Sequence, residues 1–428
     1  MEQLQAPKGV PEYFPPSGDQ FRLVRELLAA PAIAAGYKYI ELPYFEDVVL
    51  FSRGIGESTD VVSKEMYTFT DRAERQLALR PEGTAGVIRS VIENSLTQQG
   101  LPVKLWYAGA FFRAERPQKG RYRQLQQVGI EAIGAETPAL DAEVIAIADA
   151  SFRSIGLKNF ELQLTSLGCQ SCRPGYREIL TKYLANLPLD DETKKRAELN
   201  PLRVLDDKRT DVQQLLIDVP LMLDYICSEC REYHESVISY LDLLKIPYVI
   251  NKKLVRGLDY YTRTTFEFVH HGLGAQSGIG GGGRYDQLMQ SLGGQDLSGI
   301  GFGLGVDRTF LAAEAEGIDL AQLLPKLIAV VPVSPDFIGD SFQVSAKLRE
   351  AGLCVDHITH AKNLKNGMKV ADRNGAYAVV LVGPDEVKSG EYTLKILDSG
   401  QQESVAVGDL ADRIKQHLGL AANSMKEV

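Results

Sequence analysis

The segment FRAERPQKGRYRQLQQVGIEAIG, residues 112–134, decides how the rest of the chain is read. Two stretches of strand character, 104–114 and 124–135, flank a polar turn over 115–123, and together they predict an antiparallel hairpin. Alternate side chains of a strand share a face. Arg113 and Glu115 therefore lie together, as do Gln127, Gly129 and Glu131 on the returning strand. Phe112, Val128, Ile130 and Ala132 form an apolar face suited to a core. The other face is a charged, concave surface, and the missing side chain at Gly129 is expected to leave a gap for a ligand. Charged groups on a packed sheet need partners, which points to binding rather than to a solvated surface.

The turn carries Arg113, Arg116, Lys119, Arg121 and Arg123 against the single carboxylate of Glu115. Such a cluster is either a local anion site or a solvated basic turn, and the residues alone leave both readings open.

Upstream, residues 18–36 read as a helix and 37–42 as a strand ending before Pro43. A short strand over 77–80 leads into PEGTAGVIRSVIEN, where Pro81 and Gly83 precede a helical run. Downstream come a helix over 137–155 and a strand over 160–164. From 169 to 244 the texture is mostly helical, which suggests an inserted subdomain.

Strand character resumes at Val249 and over 266–269. In LVRGLDYYTRTTFEF, residues 254–268, Arg256, Asp259, Tyr260 and Tyr261 crowd between apolar residues, as in a site or in a turn held by an Arg–Asp pair. Glycine dominates over 272–283, and the run GAQSGIGGGGRYD, residues 274–286, would bring backbone close to a small ligand or serve as a flexible linker. In GIGFGLGVDR, residues 299–308, Gly301, Gly303 and Gly305 share one strand face and Phe302, Leu304 and Val306 the other. The bare face can lie flat against an aromatic ring. Neither GxxxxGK[ST] nor GxGxxG occurs, so these glycines do not form a phosphate loop.

Acidic, Leu-rich sequence over 312–325 reads as a link to a last module of strand (327–333), helix (338–351), strand, helix and strand (377–382), a small α/β domain. There Lys362, Lys365, Lys369 and Arg373 recur at helical spacing, as a nucleic-acid-facing or a merely solvated surface.

At 428 residues the chain exceeds one ordinary core, and 44% hydrophobic content is typical of globular domains. A net charge of −9 argues against indiscriminate coating of nucleic acid, DNA included. No apolar run approaches a membrane span and the N-terminus lacks a signal pattern, so a cytoplasmic protein is expected. Five cysteines agree with a reducing compartment. Cys169, Cys172, Cys227 and Cys230 form two CxxC pairs, suited to structural zinc if they meet in space and otherwise buried or free thiols. Cys354 reads as a core residue, and His270 and His271 as structural.

These residues resemble the class II aminoacyl-tRNA synthetases. Arg113-x-Glu115 with its turn is similar to their motif 2, GFGLGVDR ending in Arg308 to motif 3, and the strand before Pro43 to motif 1. RPEGTAG (80–86), FRAERPQKGRYRQ (112–124) and LVRGLDYYTRTTFEF resemble signature segments of the histidyl-tRNA synthetase family. The resemblance implies an α/β (α+β) fold: a class II antiparallel-sheet catalytic domain over 1–322 with a helical insertion at about 169–246, an anticodon-binding α/β domain over 325–420, and a tail over 421–428.

The resemblance further implies activation of histidine with ATP and Mg2+, followed by transfer to the 3′ end of the histidine tRNA by a homodimer. Arg113 and Arg256 would be catalytic, gripping the α-phosphate and the histidine carboxylate. Glu115, Arg121 and Arg308, with Arg113, would hold ATP. Glu82, Gly83, Thr84 and Gln127 would surround the α-amino group, and Glu131, Tyr260 and Tyr261 the imidazole. Arg116, Gln118 and Lys119 would touch the tRNA acceptor end.

Leu125 stands where the family carries an aromatic residue against adenine, and Gln126 replaces a usual histidine. The N-terminal APKGVPEY also differs from the commoner family start. A catalytically silent, histidine-binding regulatory paralogue is the main rival, and it is expected to lack the C-terminal domain. Retention of residues 326–419 favours the enzyme.

Overall fold

In the computed structural model, which describes residues 4–56, 59–207 and 209–420, the hairpin is formed by strands Val103–Phe112 and Gln124–Ile133, paired from Val103 opposite Ile133 to Phe112 opposite Gln124. The first strand ends one residue before Arg113. The Arg113 amide still bonds the Arg123 carbonyl at 2.9 Å, and the Glu115 amide turns back onto the Arg113 carbonyl at 2.7 Å. Both charged residues thus stand at the mouth of the hairpin, beyond the regular ladder.

The hairpin lies within an eight-stranded sheet in the order Lys38–Tyr39, Val103–Phe112, Gln124–Ile133, Gly299–Gly305, Gly278–Tyr285, Thr262–His270, Phe160–Ser166, Val249–Ile250. Pairing is antiparallel except at the two short edge strands. The expected strand over 37–42 pairs only at Lys38 and Tyr39.

Alternation gives the sheet two distinct faces. Val128, Ile130, Ala132, Phe266, Phe268, Ile300, Phe302 and Leu304 are buried on one, against helices Ser17–Ala34, Pro138–Ser154 and Val306–Ala315. Thr137 caps the second of these by accepting the Leu140 amide. The opposite face carries a smaller apolar cluster, with Phe111, Tyr107 and Tyr285 packed near helix Thr84–Glu93. Phe111, on this side, is fully buried, whereas Phe112 is only half-buried.

Buried arginines lock these layers. Arg80 donates to the carbonyls of Leu42 (2.7 Å) and Ala110 (2.8 Å), and its guanidinium lies 4.6 Å from the Phe111 ring centroid. Arg284 and Asp141, both fully buried, pair and join strand Gly278–Tyr285 to helix Pro138–Ser154. A buried pair of this kind fixes geometry more than it adds stability.

Between strands Phe160–Ser166 and Val249–Ile250 the chain makes helices Arg173–Ala185, Asp191–Leu199, Thr210–Leu215 and Ser228–Leu243. The first three enclose a separate core with Tyr176, Leu180, Leu184, Val204 and Met222, to which the last adds Cys230 while its Val237 and Leu241 join the main core.

The chain divides into two compact units, Met1–Gln322 and Leu323–Val428. The second has a five-stranded sheet in the order Cys354–His357, Leu327–Pro332, Ala378–Val382, Glu391–Ile396, Gln402–Ala406, parallel in its first three strands. Lys362, Lys365, Lys369 and Arg373 are all exposed, three of them on helix Leu364–Arg373.

Two expectations are corrected. Cys354 is exposed, because it opens the edge strand of that sheet rather than a central one. The expected link over 312–325 begins inside helix Val306–Ala315, where Ala312 and Ala313 are buried and Glu314 is exposed; Glu316, just beyond the helix, bonds His270 and the amides of Lys158 and Asn159. The expected tail, 421–428, lies outside the described residues.

Candidate active site

Two adjoining cavities open on the face of the sheet opposite the main core. The larger, about 270 Å3, is lined among others by Arg113, Glu115, Arg121, Arg256, Glu267 and Arg308. The smaller, about 60 Å3, is lined among others by Glu82, Gly83, Thr84, Tyr107, Tyr260 and Tyr261. Arg113, Gln127, Arg256 and Gly303 line both, so two guanidinium groups stand at the boundary.

Each boundary arginine is held by one edge. Arg113 donates Nε to the Pro81 carbonyl at 3.0 Å, which leaves its terminal nitrogens for the cavities. Arg256 pairs through Nη1 with Glu267 at 2.7 Å, not with Asp259, which instead accepts from Asn200 at 2.9 Å and Arg203 at 3.3 Å. Burial works against the Arg256 charge, but Glu267 and the phenols of Tyr261 and Tyr260 hold its pKa above the ordinary value. The strand beside it has no room for a side chain at Gly281: a Cβ there would fall 2.9 Å from Arg256 Nη1.

In the larger cavity, Arg308 bonds the carbonyls of Gly120 and Gly278, each at 2.7 Å, and the Gln276 side chain at 3.0 Å. It ties the tip of the hairpin turn to the glycine-rich strand. Burial lowers its pKa, with the neighbouring charges of Arg113 and Arg121 adding to the effect. Arg121 pairs with Glu115 and lies 3.6 Å from Glu65. Burial and the adjacent Glu115 carboxylate raise the Glu65 pKa. The oxygen-rich set of Glu115 and Glu267 suits a hard divalent cation.

The smaller cavity is built on a buried carboxylate. Glu131, fully buried, accepts from Thr84 at 2.8 Å and Tyr107 at 3.4 Å on Oε1, and from Tyr285 at 2.6 Å on Oε2. No cation pairs with it among the described residues. Burial pushes its pKa up to about 8, with the Glu82 charge assisting, although the three hydroxyls pull the other way. Glu82 in turn accepts the amides of Thr84 (2.6 Å) and Ala85 (2.9 Å), closing the start of helix Thr84–Glu93. Burial raises its pKa as well.

Two outcomes differ from the sequence reading. Gly129 does not leave a gap for a ligand: a Cβ at either Gly129 or Gly83 would fall within 2.4 Å of Tyr107, whose ring fills that space. Glu131 does not line the cavity directly but lies beneath Gly301, where a Cβ would strike its carboxylate. Arg116, Gln118 and Lys119, expected to meet the tRNA acceptor end, are exposed on the outer turn, closed by the Gln118–Arg121 backbone pair, outside both cavities.

Arg113, Gln127, Arg256, Tyr260, Tyr261, Glu82, Gly83 and Thr84 meet around the smaller cavity, and Glu115, Arg121 and Arg308 around the larger. Leu125 and Gln126 line the larger cavity, together with an aromatic residue the sequence reading passed over, Tyr122. Tyr107, Tyr285, Glu65 and Glu267 were also missed. Gly83 and Gly129 carried the available signal, since paired glycines mark where a large side chain crosses. His270 is structural: its Nε2 bonds Glu316 at 3.0 Å and its Nδ1 accepts the Gly272 amide at 3.2 Å.

Residues 9–171 and 178–309 match the family model described as histidyl-tRNA synthetase, and residues 327–417 the anticodon binding domain. The chain is 57% identical over 411 residues to the histidine–tRNA ligase of Rhodococcus erythropolis, covering 96% of this chain and 97% of that one. It is 56% identical to the Mycobacterium marinum histidine–tRNA ligase, over 98% and 100% of the two chains. A crystal structure of apo S. aureus histidyl-tRNA synthetase superposes with a TM-score of 0.78 at 32% identity, over 96% and 100%.

Proposed function

Since the chain belongs to the histidyl-tRNA synthetase family and attaches histidine to its tRNA at the expense of ATP, we propose that the smaller cavity seats histidine and the larger one ATP. One observation carries this reading: Arg113 and Arg256 stand on the wall common to both cavities. That wall is where a carboxylate entering from one side would meet an α-phosphate entering from the other.

In the first step a histidine carboxylate oxygen attacks the α-phosphorus, the new O–P bond forms, and pyrophosphate leaves with the electrons of the broken P–O bond. The two guanidinium groups oppose the charge that gathers on the phosphoryl oxygens, so catalysis is positioning and electrostatic stabilisation with no protein nucleophile. Arginine suits this better than lysine, because its planar fork binds carboxylate and phosphate bidentately and stays charged.

Glu82, Gly83, Thr84 and Gln127 surround the α-amino group. Tyr261 and Tyr260 face the imidazole, with Glu131 acting from behind them through Thr84 and Tyr285. Glu115, Arg121 and Arg308 grip the nucleotide. Mg2+ bound to the ATP phosphates would be held by Glu115 and Glu267 and would supply further charge neutralisation.

In the second step a ribose hydroxyl of the tRNA end attacks the activated carbonyl and AMP leaves. The exposed turn residues Arg116, Gln118 and Lys119 meet the acceptor end, and the basic helix of the second unit meets the anticodon. The exposed Tyr39, Tyr44, Phe45 and Phe69 support a homodimer interface. Among the described residues no helix is long and apolar enough to cross a membrane, in keeping with a cytoplasmic enzyme.

The test is histidine-dependent exchange of labelled pyrophosphate into ATP, with and without Arg256→Ala. Strong exchange by the parent and a loss of about 100-fold or more in the variant is expected. Undiminished exchange by the variant would remove Arg256 from the chemistry.

A further inference from the structure

The two CxxC pairs, 55 residues apart between Cys172 and Cys227, converge. The sulfur atoms of Cys169, Cys172, Cys227 and Cys230 all lie within 4.8 Å of one another, with Cys169–Cys172 at 3.6 Å and Cys172–Cys230 at 4.0 Å. Four thiolates around zinc at about 2.3 Å form a tetrahedron with edges of about 3.8 Å. The observed separations bracket that edge, and they exceed the ~2.05 Å of a disulfide by a wide margin.

The backbone is shaped for thiolates. The Cys227 amide donates to Cys172 Sγ at 3.1 Å, and the first knuckle is closed by the Cys172 amide on the Cys169 carbonyl at 3.1 Å. Gly168, which opens the first knuckle, has φ of +63°, and a Cβ there would come within 2.9 Å of the Cys172 Cβ. Cys172 and Cys230 are buried in the core of the helical insertion.

The position of the cluster gives it a second role. The pairs stand at the two ends of the insertion's separate core, one after strand Phe160–Ser166 and one at the start of helix Ser228–Leu243. Directly after Cys172, Arg173 donates Nη1 to the Tyr261 carbonyl at 3.1 Å. Around the knuckle, the Leu167 amide bonds the Arg263 carbonyl at 2.8 Å and the Arg263 amide the Gly168 carbonyl at 2.9 Å. The segment that carries Tyr261 into the smaller cavity is thus fastened to the cysteine knuckle.

We propose that Cys169, Cys172, Cys227 and Cys230 bind one structural zinc ion, which closes the helical insertion at its base and positions Tyr261 for histidine. Binding displaces the four thiol protons to solvent and leaves the metal without an open coordination position, so it takes no part in the chemistry. The positioning half of the proposal rests on the reading of the smaller cavity as the histidine site, whereas the metal half does not.

Elemental analysis and native mass spectrometry of the full chain, purified under reducing conditions, are expected to give one zinc per chain. Cys354→Ser should keep it, and the double variant Cys227→Ser/Cys230→Ser should lose it. Should that variant not fold, cobalt exchanged into the parent provides the same answer through thiolate-to-cobalt charge-transfer bands with a tetrahedral d–d spectrum. A metal-free parent with all five thiols, Cys354 included, titratable after incubation with zinc, or with disulfides among the four, overturns the site.

Chelation of the parent is expected to raise KM for histidine about tenfold, the lower end of the usual cost of losing a positioning shell, with little change in KM for ATP. Zinc present but histidine KM unmoved on its removal overturns the positioning role alone. If Tyr261→Phe leaves histidine KM unchanged while the zinc content stands, it is the assignment of the cavity that fails.

Discussion

Tyr285 donates its hydroxyl to Glu131 Oε2 across 2.6 Å, with the phenol 1% exposed and the carboxylate not at all. A buried polar pair of this kind is sensitive to the loss of either partner. Tyr285→Phe is expected to destabilise the chain by about 1–3 kcal/mol and to raise KM for histidine about tenfold. KM for ATP should stay within about twofold. Urea unfolding and steady-state exchange kinetics check both parts, and a selective rise in the ATP KM would contradict the assignment.

Stability is expected to fall with pH because of Glu131. Its carboxyl has a folded pKa of about 8 against 4.5 for the free group. Below pH 4.5 both states are protonated and the group's stabilising contribution is complete. As pH rises toward 8 the unfolded chain releases this proton while the folded chain keeps it, so stability is lost, by something on the order of 1–3 kcal/mol. Glu131→Gln should be flatter than the parent when urea unfolding is compared at about pH 5.5 and 8. Equal pH dependence in the two proteins would mean that Glu131 is ionised when folded.

Gly129→Ala is expected to destabilise by about 1–3 kcal/mol, because the new methyl would sit 2.3 Å from the Tyr107 ring. Gly305→Ala on the neighbouring strand is the comparison, since its nearest contact there would be an ordinary 3.4 Å. Thermal unfolding distinguishes them, and equal losses would contradict the packing described for Tyr107.

Arg308→Ala removes three hydrogen bonds that join Gly120 to Gly278 and Gln276. The expected result is a rise of about tenfold or more in KM for ATP, together with faster proteolysis in the 115–123 turn. A variant with unaltered ATP KM would place Arg308 outside nucleotide binding.

Most of the frame was legible because period-2 alternation over 124–133 survives burial on one face and ligand-facing chemistry on the other. The helical insertion was legible from its want of glycine-rich strands. Tyr107 and Tyr285 were not: Tyr107 sits in an apolar run where an aromatic residue reads as core, and Tyr285 stands between Arg284 and Asp286 at the end of the glycine-rich strand; the hydroxyl partner that gives each a role lies 24 or 154 residues away. Strand alternation alone does not anticipate Gly301, which lets the Glu131 carboxylate sink beneath the wall. Cys354 was misjudged because sequence does not tell an edge strand from a central one.

The most direct test of the two-cavity arrangement is a crystal structure with a non-hydrolysable histidyl-adenylate analogue. The account predicts its phosphate mimic between Arg113 and Arg256, the imidazole beside Tyr261 and the adenosine in the cavity lined by Arg308. An analogue bound with its phosphate mimic away from both arginines, or with the imidazole in the larger cavity, would contradict it.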